Sequence, residues 1–323
     1  MPRRFACAVG APRCGTTTLS RLLAKHPDVA FSSVKEPHFF SRYDLNELTE
    51  RELREALKND YLPRYFGHCS PDKLWAEGSV SYLYAADRMP PILRVWPDAK
   101  FIVAVRDPLT MLPSLHQRLL YAGDEVVDDF AKAWALTSER AQGRRIPRSC
   151  VAPEFLRYDE IGRLGKYLER FFDVVGRERC FVAVYDDLVA DPSTLYRRLL
   201  EFLELPDDGR RDFPRYRAGQ GYKIAWLQRL LKRPPLAVRG IAAGEKYRER
   251  VKPLDRGSRK GPAPLLLQAV TAGRKRLLRW NKAPPPPIRL DVRLRREIRD
   301  TLADDVAHLS QLIGRDLSHW LAV

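Results

Sequence analysis

Short runs of consecutive apolar residues punctuate the chain, separated by stretches where apolar positions recur every three or four residues. The runs at 5–9, 29–31, 101–105 and 180–185, with the stretch 74–77 that is apolar up to Glu77, have strand length, and they predict five strands. Directly after the first run, residues 16–25 place Leu19, Leu22 and Leu23 on one side, which predicts a helix. Strands separated by helical stretches predict an α/β fold of three layers: a central, mostly parallel five-stranded sheet flanked by helices. In such a sheet the functional site is expected at the carboxyl edge of the strands.

The first strand-to-helix junction carries the most chemistry. Gly10 and Gly15 bracket a tight loop, Gly-Ala-Pro-Arg-Cys-Gly, that opens into Thr16, Thr17 and Thr18. A strand, a glycine-bracketed loop and a helix N-terminus together form an anion cradle, because backbone N–H groups and the helix dipole point at one spot. By itself the pattern fits an ordinary strand-to-helix turn as well. The glycine spacing is that of a Walker A loop, but Thr16 stands where the lysine belongs. Without that lysine, the cradle suits a donor group of lower charge that needs no metal. Arg13 supplies one fixed positive charge inside the loop.

The segment Pro12-Arg13-Cys14-Gly15-Thr16-Thr17-Thr18-Leu19 resembles the 5′-phosphosulfate loop of sulfotransferases that use 3′-phosphoadenosine 5′-phosphosulfate. A second motif follows: the run 100–105 ends in Arg106-Asp107-Pro108, with Ser114 eight residues after Arg106. Alone, Arg-Asp-Pro reads as a turn with a solvated arginine. The resemblance implies that Arg106 and Ser114 hold the 3′-phosphate, and that Arg13, Cys14, Gly15, Thr16, Thr17 and Thr18 hold the 5′-phosphosulfate. A third motif, Lys35-Glu36-Pro37-His38-Phe39-Phe40, is similar to a segment of heparan sulfate 3-O-sulfotransferases and of bacterial sulfotransferases. There the resemblance implies a catalytic base at Glu36 with His38 beside it, and a catalytic role for Arg13 in neutralising the leaving phosphate. An acceptor hydroxyl has a high pKa, so its transfer chemistry needs such a base. Read without the family, Glu36 is a surface carboxylate paired with Lys35, and His38 a partly buried histidine.

The likeness extends over most of the chain, through 77–83, Gly165 and Tyr167, 181–188 and 313–320. Gly78 and Ser41 stand where the heparan sulfate enzymes carry a lysine and an aspartate around their anionic sugar, which points away from an acceptor resembling heparan sulfate. The implied function is transfer of a sulfuryl group to a hydroxyl of a carbohydrate, a lipid-linked compound or a small natural product, on a P-loop-like fold. The rival readings are an inactive nucleotide-binding protein and a P-loop phosphotransferase.

Charge changes this picture in one place. Residues 210–282 hold 21 Lys/Arg against 4 Asp/Glu, which accounts for the net +16 of all 323 residues. With Trp226, Leu227, Leu230, Leu231, Leu277, Leu278 and Trp280 at helical spacing, this stretch predicts basic amphipathic helices. The expected organisation is a single domain, 1–323, with 210–287 as a basic helical appendage. That appendage suits an anionic membrane surface or an acidic acceptor, or closure over the nucleotide through Arg259 and Lys260. No nucleic-acid module is recognisable, so nucleic acid is not an expected partner. The five cysteines, Cys7, Cys14, Cys69, Cys150 and Cys180, are scattered and lack metal-ligand spacing, which predicts reduced thiols and no metal. No run of 18 apolar residues and no separate leader are seen, and the expected setting is cytoplasmic, with contact at the inner membrane face.

Overall fold

The computed structural model of the chain describes residues 2–67, 69–214, 219–234, 265–287 and 290–322, with the backbone alone for 265–271. Arg259 and Lys260 lie outside the described residues. The chain divides into two compact units. The first comprises Met1–Asp107, Leu164–Arg217 and Asp304–Trp320; the second comprises Pro108–Arg163, Ala218–Ala303 and Leu321–Val323.

In the first unit, β1 (Phe5–Gly10), β2 (Val29–Phe31), β3 (Leu74–Gly78), β4 (Lys100–Val105) and β5 (Cys180–Val184) form one sheet in the order β2-β3-β1-β4-β5. Every neighbouring pair is parallel. The expected sheet is therefore present, and it is parallel throughout. All six residues of β1 are buried, as an inner strand covered on both faces requires. Helix α1 (Thr16–Leu23) turns its Leu19, Leu22 and Leu23 into the core. It stops two residues short of the sequence expectation, where the Ala24, Lys25 and His26 amides bond back to the last turn.

Aromatic stacking sets the core around the strand ends. Phe5 stacks on Trp96 with ring centroids 4.3 Å apart, and Phe66 on Trp75 at 4.8 Å. Tyr61 lies against both Phe39 (4.9 Å) and Phe40 (5.2 Å). These two phenylalanines are fully buried, and each such burial contributes about 1.5–3 kcal/mol. They pin the chain immediately after residues 36–38.

Because the strands are parallel, all their carboxyl ends open on one edge. β1 is central: the chain runs from it to β2 and β3 on one side and then crosses to β4 and β5 on the other, which makes the exit of β1 a topological switch point. The cradle follows β1, Glu36 follows β2, Ser79 and Ser81 follow β3, Arg106 follows β4 and Tyr185 follows β5.

The second unit contains the helices Pro108–Ala122, Ala225–Lys232 and Leu265–Trp280, and a two-stranded antiparallel pair, Gly221–Tyr222 with Lys282–Ala283, that periodicity does not reveal. Gln228 donates to the Tyr121 carbonyl at 2.8 Å, and the Asn281 amide donates to the Ile224 carbonyl at 3.1 Å. Its buried Glu125 is met by Arg140 at 2.8 Å and by the Tyr158 hydroxyl at 3.0 Å. Trp226 and Trp280 remain 66 % and 55 % exposed. Among the described residues, no helix is long and apolar enough to cross a membrane.

Candidate functional site

The cradle is built by backbone. Gly15 is the residue before α1 and has φ 91°, the left-handed region that glycine occupies without steric cost. A Cβ there would meet Leu188 Cδ2 at 2.5 Å. The Thr18 and Leu19 amides bond to the Gly15 carbonyl at 2.8 and 3.2 Å, which closes the first turn. The helix cannot satisfy its own first N–H groups, so they face whatever anion enters. Thr16 is buried, whereas Thr17 and Thr18 are half-buried.

Arg13 also adopts a left-handed backbone, φ 68°. Its carbonyl accepts a hydrogen bond from Arg106 Nη1 at 3.0 Å, which ties the motif after β4 to the one after β1. The Arg106 guanidinium lies over the Tyr185 ring, 4.2 Å from its centroid. Stacking of this kind fixes the plane of the guanidinium fork. Cys14 is buried and its Sγ points at the Pro12 carbonyl at 3.5 Å. Burial pushes the thiol up to about 12, against the opposing pull of Arg106 and Arg13. Its side chain is a packing group. Ser114 lies half-buried on the helix Pro108–Ala122 of the second unit.

The segment after β2 is built by side chains. Glu36 and His38 have φ 67° and 55°, so three of the five non-glycine residues with positive φ among the described residues are the sequence-predicted Arg13, Glu36 and His38. Such backbone persists only where surrounding contacts over-determine it. Lys35 Nζ lies 2.8 Å from Glu36 Oε1, and His38 Nε2 lies 3.8 Å from Glu36 Oε2. Burial works against the charge on Glu36, but His38 and Lys35 outweigh it and hold the carboxyl well below the usual range. It is a carboxylate at neutral pH.

Sequence reading finds Lys35 beside Glu36 but misses what holds His38. The His38 amide donates to Ser79 Oγ at 2.8 Å, and its ring Nδ1 is 2.6 Å from Ser81 Oγ. Ser79 Oγ donates in turn to Glu77 Oε2 at 3.4 Å. Glu77 is buried beside the neutral Tyr82, Ser79, Cys7 and Tyr61, and burial pushes its carboxyl up to about 7. At Gly78 a Cβ would meet Ser20 Oγ on α1 at 2.8 Å, so any side chain there requires that hydroxyl to turn away. Among the described residues, no cluster of His, Cys, Asp or Glu could hold a metal ion.

The sequence profile of the sulfotransferase family matches residues 7–77 and 30–209, which include both cation loops and the Glu36 segment. The mouse carbohydrate sulfotransferase 15 is 24 % identical over 242 residues, covering 61 % of this chain and 43 % of that protein. The human heparan sulfate glucosamine 3-O-sulfotransferase 6 is 30 % identical over 206 residues, covering 63 % of this chain and 53 % of that one. The chain thus spans about half the length of the curated relatives it matches, or less. A sulfotransferase crystal structure from Alicyclobacillus acidocaldarius superposes with a TM-score of 0.62 at 22 % identity, covering 100 % of this chain and 99 % of that one. That last likeness shows a common fold.

Proposed function

The chain belongs to the sulfotransferase family, and from that premise we propose that it moves a sulfuryl group from 3′-phosphoadenosine 5′-phosphosulfate to an acceptor hydroxyl, with Glu36 as general base. The observation that carries this reading is the hydrogen bond from Arg106 to the Arg13 carbonyl. It brings the two cation-bearing loops together at the exit of the central strand, as a donor with phosphates at both ends of its nucleoside requires. The residues present fit such a donor: two guanidiniums, three threonines and a helix N-terminus form a set of anion-binding groups.

The donor supplies the activated sulfuryl group and leaves as a phosphate. Arg13 and the amides of residues 14–18 hold that phosphate and balance the charge it gains as its bond to sulfur breaks. Arg106, with its plane fixed by Tyr185, grips the 3′-phosphate. Glu36 takes the acceptor proton as the new oxygen–sulfur bond forms. Lys35 and His38 orient its carboxylate and keep it ionised until that proton arrives. Gly78 and Ser41 put no charged side chain at their positions, which favours an uncharged hydroxyl compound over an anionic polysaccharide. The exposed Trp226 and Trp280 lie on the basic helices, with Lys223 Nζ 5.3 Å from the Trp280 ring, which supports peripheral contact with an anionic membrane and hence a lipid-linked acceptor.

Glu36→Gln tests the assignment. It should leave the affinity for 3′-phosphoadenosine 5′-phosphate within about twofold and lower turnover by about 10²–10⁴-fold, the usual loss for a general base. Turnover near that of the wild type would remove Glu36 from the chemistry.

A further inference from the structure

Residues 313–320 hold the last stretch of the family likeness, and the transfer just described does not use them. Their side chains converge on two aspartates beside the donor loops. The Trp320 indole N–H donates to Asp186 Oδ2 at 2.8 Å, and His319 Nε2 lies 3.0 Å from the same oxygen. Arg315 Nη1 pairs with Asp187 Oδ2. Burial works against the charge on Asp186, but His319 and Trp320 outweigh it and hold the carboxyl below its usual range. Ion pairs as open to solvent as these hold little by themselves. Here, however, the donors sit on a segment fixed by its own buried side chains: Leu317 is fully buried, and Trp320 is 3 % exposed.

The two aspartates lie on the helix Tyr185–Ala190, which is six residues long and has no buried residue. A helix that short is not stable by its own hydrogen bonds, so its neighbours decide where it sits. Tyr185 and Leu188 are three residues apart, hence on one side of it, and that side bears on the cradle. A Cβ at Gly15 would meet Leu188 Cδ2 at 2.5 Å and Tyr185 Cδ2 at 3.2 Å. The Tyr185 ring also lies under the Arg106 guanidinium, which in turn holds the Arg13 carbonyl. One short helix thus supports both cation-bearing loops, and residues 315–320 hold that helix by Asp186 and Asp187.

We propose that Asp186 and Trp320 are positioning residues for the donor site: they clamp the helix Tyr185–Ala190, which seats Leu188 against Gly15 and fixes the ring that aims Arg106 at the 3′-phosphate. The inference rests on the reading of this edge as the site of 3′-phosphoadenosine 5′-phosphosulfate. The task it assigns is holding the donor, and proton transfer to Glu36 has no part in it. Loss of the clamp should therefore weaken donor binding and leave the reaction of the bound donor nearly unchanged.

Two variants of the full chain test the clamp. Asp186→Ala removes the acceptor, and Trp320→Phe removes only the N–H and keeps a buried ring, so one variant judges the proposal if the other folds poorly. Kinetics use labelled 3′-phosphoadenosine 5′-phosphosulfate and the best acceptor from a panel of neutral sugars, lipid alcohols and phenols. Each variant should raise the donor KM about fivefold, with kcat and acceptor KM within about twofold, as for loss of one orienting hydrogen bond. On a Tyr185→Ala background, Asp186→Ala should cost only about twofold, because the ring through which it acts is gone. An unchanged donor KM in both variants, a loss confined to kcat, or full additivity with Tyr185→Ala would overturn the proposal.

A second readout needs no nucleotide. The Thr18 and Leu19 amides, bonded to the Gly15 carbonyl, should exchange with deuterated water about fivefold faster in both variants, while the amides of β1 keep their protection. Unchanged exchange at Thr18 and Leu19 would overturn the clamp, and so would equal acceleration throughout β1, which would mean general loosening. If the wild type neither binds 3′-phosphoadenosine 5′-phosphate nor transfers the label, the donor reading falls, and exchange at Thr18 and Leu19 still judges the clamp.

Discussion

The loop after β1 and the loop after β2 face the same edge of the sheet and are held there by opposite means. The first is a backbone structure: Gly15 in a left-handed turn, amides at the start of α1, and a carbonyl of Arg13 gripped by Arg106. The second is held by side chains from a strand exit some forty residues away, with Ser79 and Ser81 bonding His38, and by Phe39 and Phe40 buried against Tyr61. The difference suits their tasks. An anion cradle needs many weak donors at fixed spacing, which a helix N-terminus provides without any particular side chain. A base needs one group aimed to within a fraction of an ångström, and only packed, hydrogen-bonded neighbours give that.

The largest effect expected from breaking this contrast falls on Glu77, which stands behind Ser79 on the side-chain-held loop. Its carboxyl is pushed up to about 7 by burial, above its ordinary 4.5, so the folded chain binds the proton more tightly than the unfolded one. Its contribution to stability is complete below about pH 4.5 and is lost as the pH rises through 7, a change of about 3 kcal/mol. Glu77→Gln should remove that dependence. Urea unfolding of both proteins at pH 5 and pH 8 checks it: the wild type should lose about 3 kcal/mol more than the variant over that interval. An identical pH dependence for the two would show that Glu77 is not the buried acid.

The smaller effect falls on the cradle. Arg106→Ala removes a charge-assisted contact, worth about 1.5–3 kcal/mol, without touching the loop after β2. Calorimetry should show weaker binding of 3′-phosphoadenosine 5′-phosphate, and a clearly smaller loss, from the freed Arg13 carbonyl, for the analogue that lacks the 3′-phosphate. Equal weakening for both nucleotides would place Arg106 away from that phosphate, and the contrast between the loops would lose its nucleotide side.

The two loops also differ in how far the sequence reveals them. Four strands are legible as apolar runs and β3 as a run broken only by Glu77, because both faces of a parallel sheet are buried and no alternation disguises them. The cradle is legible because glycine spacing reports backbone conformation directly. Lys35, Glu36 and His38 are legible as a cluster, but not their support. Ser81 lies 43 residues from His38, and a serine in a loop carries no signal until the strands are paired. The stacking of Arg106 on Tyr185 is hidden for the same reason, since it depends on β4 and β5 being neighbours. The antiparallel pair at Gly221–Tyr222 and Lys282–Ala283 is two residues long on each side, too short for any period to show.

One measurement bears most directly on the account as a whole. The purified chain is given 3′-phosphoadenosine 5′-[³⁵S]phosphosulfate with the panel of hydroxyl compounds in the presence of a chelator, and in parallel γ-labelled ATP with Mg²⁺. A cradle with Thr16 in place of the Walker lysine should pass the sulfuryl label to an acceptor, release one 3′-phosphoadenosine 5′-phosphate per label transferred, and leave ATP intact. Phosphoryl transfer from ATP that requires Mg²⁺, with no movement of the sulfur label to any acceptor, would contradict it.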